Sequence, residues 1–298
     1  MKKLLPFLSL LICACGSREK PPVIVPNNAL NSTIERLRSE VPFNEQVGFC
    51  TAYNGCDDGD STIRNGQLCF SGEDRYCAYV KNTIGSDGRI WRSVRRVDNT
   101  WELSDTASRD QLLGVLLYLV KTHDVDTAKK VLHYIQSHHN QVCPISDGRC
   151  DVSNLSFMGP MWGTMRIVWN HLGLTPTWEM LASNAGDEST ILASAMSVPV
   201  NYQLHLQANQ ILIYMHCGVY TNILKTAAVK IAARDPDNLF YAWLAGTDVT
   251  QLFIDKAPKK FDQKLKWSFQ NPMTEYSETT DNVGSWLMLG DLIQKGVM

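Results

Sequence analysis

The chain has 298 residues, of which 44% are hydrophobic and 19% are charged, and its formal net charge is −2. This balance is ordinary for a globular protein and excludes a disordered chain, a fibrous protein and a coiled coil. No run of lysine or arginine stands out, so a nucleic-acid partner is not expected. Eight tryptophans and ten tyrosines are enough for a large core or an aromatic-lined cleft.

Residues 1–14 have the order of charged and apolar residues that is typical of a signal peptide. Two lysines precede an apolar stretch at residues 4–12, which is shorter than the roughly 20 residues of a membrane-spanning helix. The sequence ICACGS at residues 12–17 resembles the lipobox of bacterial lipoproteins, in which a small residue precedes an invariant cysteine. The resemblance implies that Cys15 becomes the lipidated first residue of the mature chain. A soluble secreted protein that is cleaved nearby is the alternative.

The lipobox resemblance also implies a location. Glycine rather than aspartate follows Cys15, and in Gram-negative lipoproteins this favours the outer membrane, with palmitate and other acyl chains as the anchor. Several acyl chains together hold a protein firmly in a bilayer. Residues 15–28 contain three prolines and no helical period, so we expect a flexible tether, followed by a single domain at residues 29–298.

Apolar residues recur with helical spacing along this domain, and alternating β patterns are nearly absent. The predicted helices span residues 29–40, 61–70, 73–84, 108–122, 125–138, 160–172, 199–216, 219–234, 238–245, 248–256 and 282–295. The helices at 108–122 and 199–216 are apolar on nearly every face and should be buried, whereas the helix at 125–138 is amphipathic. Buried helices that alternate with amphipathic ones predict an all-α fold of layered hairpins approaching an α/α toroid. A solenoid of helical hairpins is the alternative.

Cysteine usage agrees with export to an oxidising compartment, which would pair most of the seven cysteines after Cys15. Cys143 and Cys150 bracket a turn-like segment, and the short loop between them favours a disulfide. Cys217 either remains unpaired or is joined to the N-terminal cysteine cluster. No cysteine pair has zinc-ligand spacing, so a structural zinc site is not expected.

Several segments carry a resemblance to a known class of fold. Residues 108–117, SRDQLLGVLL, resemble the start of an inner helix in α/α-toroid glycan-processing proteins. Residues 147–150 (DGRC), 202–206 (YQLHL) and 234–240 (RDPDNLF) resemble segments of exported bacterial lipoproteins with a domain like the six-hairpin glycosidases. The likeness covers about residues 48–295. It implies a toroid with a cleft for a carbohydrate, used by a glycosidase or a polysaccharide lyase if the protein is an enzyme.

Asp110 is the first candidate catalytic residue. Ser108 and Gln111 have the spacing of a capping box, which would place Asp110 in the first turn of a helix, where the helix dipole suits a carboxylate without any function. The functional alternative uses Gly114, one turn further along the same face. Its missing side chain would leave room for a ligand over the carboxylate.

Asp60 is the candidate partner of Asp110, because glycoside hydrolysis needs two carboxyl groups. It belongs to an acidic turn with Asp57 and Asp58, for which calcium is a second interpretation, although the EF-hand pattern is not met. A third interpretation is that Asp60 only caps the helix that follows.

The remaining candidates are an arginine- and tryptophan-containing loop and one helix face. Trp91 and Arg92 precede the helix of Asp110, and with Arg109 and Tyr202 they are candidate sugar-binding residues. The loop arginines could instead offset the acidic turn. His205 shares a helix face with Tyr202 and is a candidate acid or base, but a core histidine is the commoner outcome.

Two functional classes therefore remain open. The first is a carbohydrate-active enzyme that uses Asp110, Asp60 and His205, and the second is a non-catalytic surface lipoprotein that binds a glycan or a protein. No G-x-S-x-G, H-E-x-x-H, P-loop or G-x-G-x-x-G motif is present in the sequence. Serine hydrolases, zinc proteases and nucleotide-dependent enzymes are therefore disfavoured.

Overall fold

The structure, a computed structural model, describes residues 28–50, 56, 58–97, 107–140, 142, 160–182, 187–200, 202–259 and 280–296. These segments contain thirteen α-helices, namely α1 (Asn28–Glu40), α2 (Ser61–Ser71), α3 (Arg75–Asn82), α4 (Arg109–Thr122), α5 (Val125–Ser137), α6 (Pro160–His171), α7 (Trp178–Ala182), α8 (Asp187–Ser197), α9 (Tyr202–His216), α10 (Asn222–Arg234), α11 (Leu239–Leu244), α12 (Thr250–Lys256) and α13 (Thr280–Gln294). One short hairpin pairs β1 (Phe43–Asn44) with β2 (Gly48–Phe49). The all-α prediction is confirmed, and α7 and α8 are two helices that the sequence pattern did not predict.

The helices differ in burial as their apolar patterns predict. Every residue of α2 is buried, and α4 is buried from Gln111 to Val120. By contrast, α5 and α10 each bury one face and expose the other. Because α4 packs against α2, α6 and α9, these buried helices form the centre of the described domain.

The contact between α2 and α4 depends on two glycines. A Cβ on Gly114 would lie 2.4 Å from the carbonyl oxygen of Thr62, and one on Gly66 would lie 2.2 Å from the carbonyl oxygen of Gly114. The two helices therefore approach backbone to backbone at this point. The space beside Gly114 is filled by α2, which corrects the expectation that it leaves room for a ligand.

The two ends of the described domain pack against each other. Helix α13 lies against both α1 and α2, and α1 also contacts α12. Gly290 of α13 is required here, because a Cβ at this position would lie 2.7 Å from the Phe253 ring and 2.9 Å from Ile34. The first turns of α2 and α4, where the candidate carboxylates are located, are brought together by the direct contact between these two helices.

Two cysteine pairs lie close together. Their Cα atoms are 5.2 Å apart for Cys50 and Cys56 and 4.8 Å apart for Cys69 and Cys77, separations that suit disulfides. Cys217 is not paired with any other cysteine that the structure describes. Cys15, Cys143 and Cys150 lie outside the described residues. Within the described helices, none is both long enough and apolar enough to cross a membrane.

Candidate active site

Two carboxylates and an arginine meet where α2 and α4 begin. Asp60 is the residue before α2, but its side chain does not cap that helix. It accepts a hydrogen bond from the Gln111 amide at 3.3 Å and lies 3.6 Å from the guanidinium of Arg92. Gln111 itself completes the predicted capping box by accepting from the Ser108 backbone at 2.8 Å. The capping box is thus confirmed, and it holds Asp60 beside the first turn of α4.

Asp110 lies in that first turn and interacts electrostatically with Asp60. Desolvation by the surrounding protein and, to a smaller extent, the charge of Asp60 raise the pKa of Asp110 to about 6, although Arg92 and Arg109 oppose the shift. A carboxyl group with this pKa is protonated in a useful fraction near neutral pH and can donate a proton. Asp60 and Arg92 remain open to solvent, with about a quarter of each side chain exposed (26% and 23%).

Asp58 holds the loop that carries Arg92. Its carboxylate lies 2.7 Å from Arg96 and 3.3 Å from Arg95, and it also accepts from Ser93. These partners lower the pKa of Asp58 against the opposing effect of its burial. Arg95 and Arg96 therefore offset the charge of Asp58 in the acidic turn, which agrees with the second interpretation of this loop given in the sequence analysis. Asp57, the third residue of the suggested calcium site, lies outside the described residues.

Trp91 belongs to the same loop, and its side chain is buried. Only 4% of the residue is exposed, and the Arg89 guanidinium lies over its ring at 4.1 Å. Its backbone carbonyl accepts a hydrogen bond from the Thr62 hydroxyl at 2.7 Å. Trp91 therefore positions the loop against α2, and its covered ring does not offer a stacking face to a sugar.

A cleft of about 200 Å³ lies between the start of α4 and helices α6, α8 and α9. Two of the predicted sugar-binding residues, Arg109 and Tyr202, line it. The other polar lining residues carry amide or hydroxyl groups, namely Thr190, Ser194, Gln203, Gln207 and Gln210. Leu113, Met161, Val198 and Leu206 complete the lining. The described lining therefore has one cation, several neutral hydrogen-bonding groups and an apolar wall.

The glutamines of α9 are functional candidates that the sequence analysis did not single out. Gln203, Gln207 and Gln210 follow one another at helical spacing on a helix whose remaining residues are mostly apolar. That spacing is a readable signal, because polar side chains on a buried helix must find partners or line a cavity. The sequence analysis grouped Tyr202 with His205 instead, whereas the structure places Tyr202 in the cleft lining with the glutamines.

His205 is not part of the cleft. It is 6% exposed, its Nε2 accepts from the Gln67 amide at 2.8 Å, and its ring lies 5.7 Å from that of Phe240. Desolvation, with the charge of Arg64 acting in the same direction, lowers the pKa of His205 to about 3. His205 is thus a core histidine, and a neutral imidazole with this pKa is not suited to acid or base catalysis near neutral pH.

No protein-family model matches the chain, and no curated protein or solved structure matches it either. The assignment of a function therefore rests on the geometry of the acid pair and the cleft.

Proposed function

We propose that the protein is an exported, lipid-anchored glycoside hydrolase that acts on a glycan of the cell envelope or its surroundings. The observation that carries the proposal is the pairing of Asp60 and Asp110 at the adjoining ends of α2 and α4. Two carboxyl groups with different environments are what glycoside hydrolysis requires. The proposal includes closure of the layered helices into an α/α toroid and disulfides at Cys50–Cys56 and Cys69–Cys77.

The two carboxyl groups take different roles because their surroundings differ. Asp110, with its pKa raised to about 6 by desolvation and by Asp60, donates a proton to the glycosidic oxygen of the leaving group. Asp60 faces the guanidinium of Arg92 at 3.6 Å, which suits a charged carboxylate. Asp60 therefore acts on the other side of the bond, either on the attacking water or on the anomeric carbon.

The cleft beside the acid pair supplies the binding groups in this proposal. Arg109, the residue immediately before Asp110, lines the cleft, and a guanidinium recognises the carboxylate of an acidic sugar. The amides of α9 are suited to sugar hydroxyl groups, and the apolar wall is suited to the faces of sugar rings. A glycan with at least one uronic or sialic acid unit is the expected ligand class.

The lipid anchor is a separate part of the proposal. Cys15 would hold the protein in the outer membrane, and residues 15–28 would give the domain reach along the envelope. Replacing Cys15 by Ala should release the protein from the membrane fraction. Sedimentation of the variant with membranes would contradict the anchor without affecting the enzyme proposal.

A panel of acidic and neutral glycans, read by product formation and by binding, tests the function. The wild-type chain should release product, and Asp110→Asn should lose this activity while it keeps its helicity and its glycan binding. Asp291→Asn is the matched control. Asp291, a residue of α13, is also a buried carboxyl group with a raised pKa, but it lies beside the C-terminal end of α2. This variant should keep the activity.

The alternative function is non-catalytic binding in the same cleft. It is favoured by the neutral amide lining of α9, which needs no acid pair to hold a sugar. Under this alternative, the wild type binds a glycan without releasing product, and Asp110→Asn binds equally well. Gln207→Ala should then weaken binding more than any substitution of the two carboxyl groups.

A further inference from the structure

Helix α2 carries a buried arginine whose charge has no counterion among the described residues. Arg64 is 6% exposed, and its Nη1 donates to the side-chain oxygen of Gln67 at 3.2 Å and to the hydroxyl of Ser285 at 3.0 Å. Both acceptors are neutral. The Nε of Arg64 is also buried, and it has no hydrogen-bond partner within the part of the chain that the structure describes. A charged donor in the core is therefore left without an acceptor.

The ion pairs formed between described residues do not include Arg64. At the N-terminal end of α2, Asp60 faces Arg92. At the C-terminal end, Asp291 faces Arg38. A guanidinium stays protonated at any ordinary pH, so Arg64 cannot lose its charge on burial as a lysine can. Because an uncompensated buried charge is strongly destabilising, an anion at this place would stabilise the fold.

A second buried donor that lacks an acceptor among the described residues belongs to the same hydrogen-bonded cluster. Because the Gln67 oxygen accepts from Arg64, the Gln67 amide nitrogen faces His205 and lies 2.8 Å from Nε2 of that ring. The same nitrogen donates to Asn209 at 3.2 Å, which agrees with this orientation. Nε2 of His205 therefore accepts, and the proton of the neutral imidazole lies on Nδ1. This Nδ1 is buried and has no partner in the described segments.

We propose that Arg64 and His205 bind a small monovalent anion of the halide type, held in the core between α2, α9 and α13. The guanidinium supplies the balancing charge, and the anion gives the two buried donors, Nε–H of Arg64 and Nδ1–H of His205, the acceptor that buried polar groups require. The residues of the cluster are each at most 6% exposed, namely Arg64, Gln67, His205, Asn209 and Ser285. An ion in such surroundings must give up its water, which favours chloride over the more strongly hydrated phosphate or sulfate.

The charge of the cluster matches one monovalent anion. Desolvation, with the charge of Arg64 acting in the same direction, lowers the pKa of His205 to about 3, so the imidazole is neutral near pH 7. Arg64 is the only charged group of the described residues that shifts this pKa. The cluster therefore carries a single positive charge, and one chloride ion would balance it.

The anion site would be separate from the glycan cleft. The residues of α9 that line the cleft include Gln203, Gln207 and Gln210, and His205 and Asn209 are not among them. The cluster instead joins α9 to α2 and α13. A bound anion would therefore stabilise the packing of these three helices and would not take part in glycan chemistry. The two proposals can fail independently.

Urea unfolding of the purified full chain, with chloride replaced stepwise by gluconate at constant sodium concentration, tests the site. The urea midpoint of the wild type should rise with chloride and then saturate, because a ligand that binds only the folded state stabilises it. Arg64→Met should weaken the apparent chloride affinity at least tenfold. Arg38→Met is the matched control, since the arginine that it removes is already paired with Glu73 and Asp291. This control should keep the chloride dependence of the wild type.

Diffraction with bromide keeps the test decisive even if Arg64→Met fails to fold. Crystals of the wild type grown with sodium bromide should show an anomalous peak within hydrogen-bonding distance of Nε of Arg64. Absence of this peak, or equal chloride dependence in Arg64→Met and the wild type, would overturn the proposal.

Discussion

Each end of α2 carries two carboxyl groups and an arginine, but the two clusters are built differently. At the C-terminal end, Arg38 donates to Glu73 at 2.5 Å and to Asp291 at 3.0 Å, and the Ser71 hydroxyl donates to Asp291 at 3.2 Å. The side chain of Asp291 is 3% exposed. This closed cluster, formed by Arg38, Glu73 and Asp291, ties α1, α2 and α13 together.

At the N-terminal end, the open cluster of Asp60, Arg92 and Asp110 has longer contacts and more solvent. Arg92 lies 3.6 Å from Asp60, and each exposes about a quarter of its side chain. Desolvation nevertheless raises a carboxyl pKa in both clusters, for Asp110 to about 6 and for Asp291 to about 7. A raised pKa alone therefore does not identify an active site, because burial in a structural cluster produces the same shift.

The largest expected difference between the clusters is in activity. Asp60→Asn in the open cluster should lower the rate of glycan hydrolysis about 10²–10⁴-fold, the range expected for loss of one acid–base partner. The same change removes the charge that raises the pKa of Asp110, so the remaining activity should fall at a lower pH than in the wild type. Initial rates measured across a pH series give both quantities.

Glu73→Gln is the matched substitution in the closed cluster. Like Asp60→Asn, it removes one negative charge that lies next to an arginine and next to a second carboxyl group. It therefore controls for the loss of a charge at an end of α2. We expect its rate and its pH profile to equal those of the wild type. An equal loss of activity in the two variants would show that the clusters do not differ in function.

The second difference is in stability, for which the substitution in the closed cluster should have the larger effect. Arg38→Met should reduce the free energy of unfolding by about 2–3 kcal/mol, because it removes the guanidinium that pairs with both Glu73 and Asp291. Arg92→Met removes a partly exposed and longer ion pair and should cost less than about 1 kcal/mol. Urea unfolding at one pH measures both. A larger loss for Arg92→Met would contradict the assignment of the closed cluster as the structural one.

The third difference is in the pH dependence of stability. Because the pKa of Asp291 is raised to about 7 by desolvation and by Glu73, the folded protein binds more protons than the unfolded chain between about pH 4 and pH 7. Stability therefore falls as the pH rises through this window. Asp291→Asn lacks this dependence, and the stability of this variant should increase relative to that of the wild type between these pH values.

The matching substitution in the open cluster is Asp110→Asn. In the wild type, the pH range over which ionisation of Asp110 lowers stability ends near pH 6. The stability of Asp110→Asn relative to the wild type should therefore change over a narrower pH range than that of Asp291→Asn. The lowered pKa of His205 acts in the other direction in acid, but it is common to all the variants and cancels in the comparison. Urea midpoints measured at several pH values distinguish the pH dependences of the two variants. Identical pH dependences for Asp110→Asn and Asp291→Asn would contradict this prediction.

The apolar pattern was sufficient for most of the fold. Helices with a continuous apolar face, such as α4 and α9, were predicted to within a few residues because burial and helical spacing act on the same positions. Helix α7 has only five residues, too short for a periodic signal, and α8 was missed with it. The role of Gly114 was also missed, since only the approach of α2 shows which atoms need the space.

The site was predicted in part for a similar reason. A helix start is readable locally, so Ser108, Gln111 and Asp110 were located from sequence, and the proximity of Asp60 followed as a hypothesis. The lining of the cleft could not be found in this way. Its residues come from α4, α6, α8, α9 and the segment between α8 and α9, and no spacing within one segment connects them.

The smallest expected effect concerns Arg92 and tests how the open cluster is tuned. Arg92 lowers the pKa of Asp110, against the larger effects of desolvation and Asp60. Arg92→Gln should therefore raise that pKa and move the alkaline limit of activity upward, by less than about one pH unit because the pair is partly solvated. Arg95→Gln is the control, since Arg95 contacts Asp58 and not the acid pair. The shift should shrink as salt screens the charges, whereas a profile that moves equally in both variants would assign it to a disturbed loop rather than to the charge of Arg92.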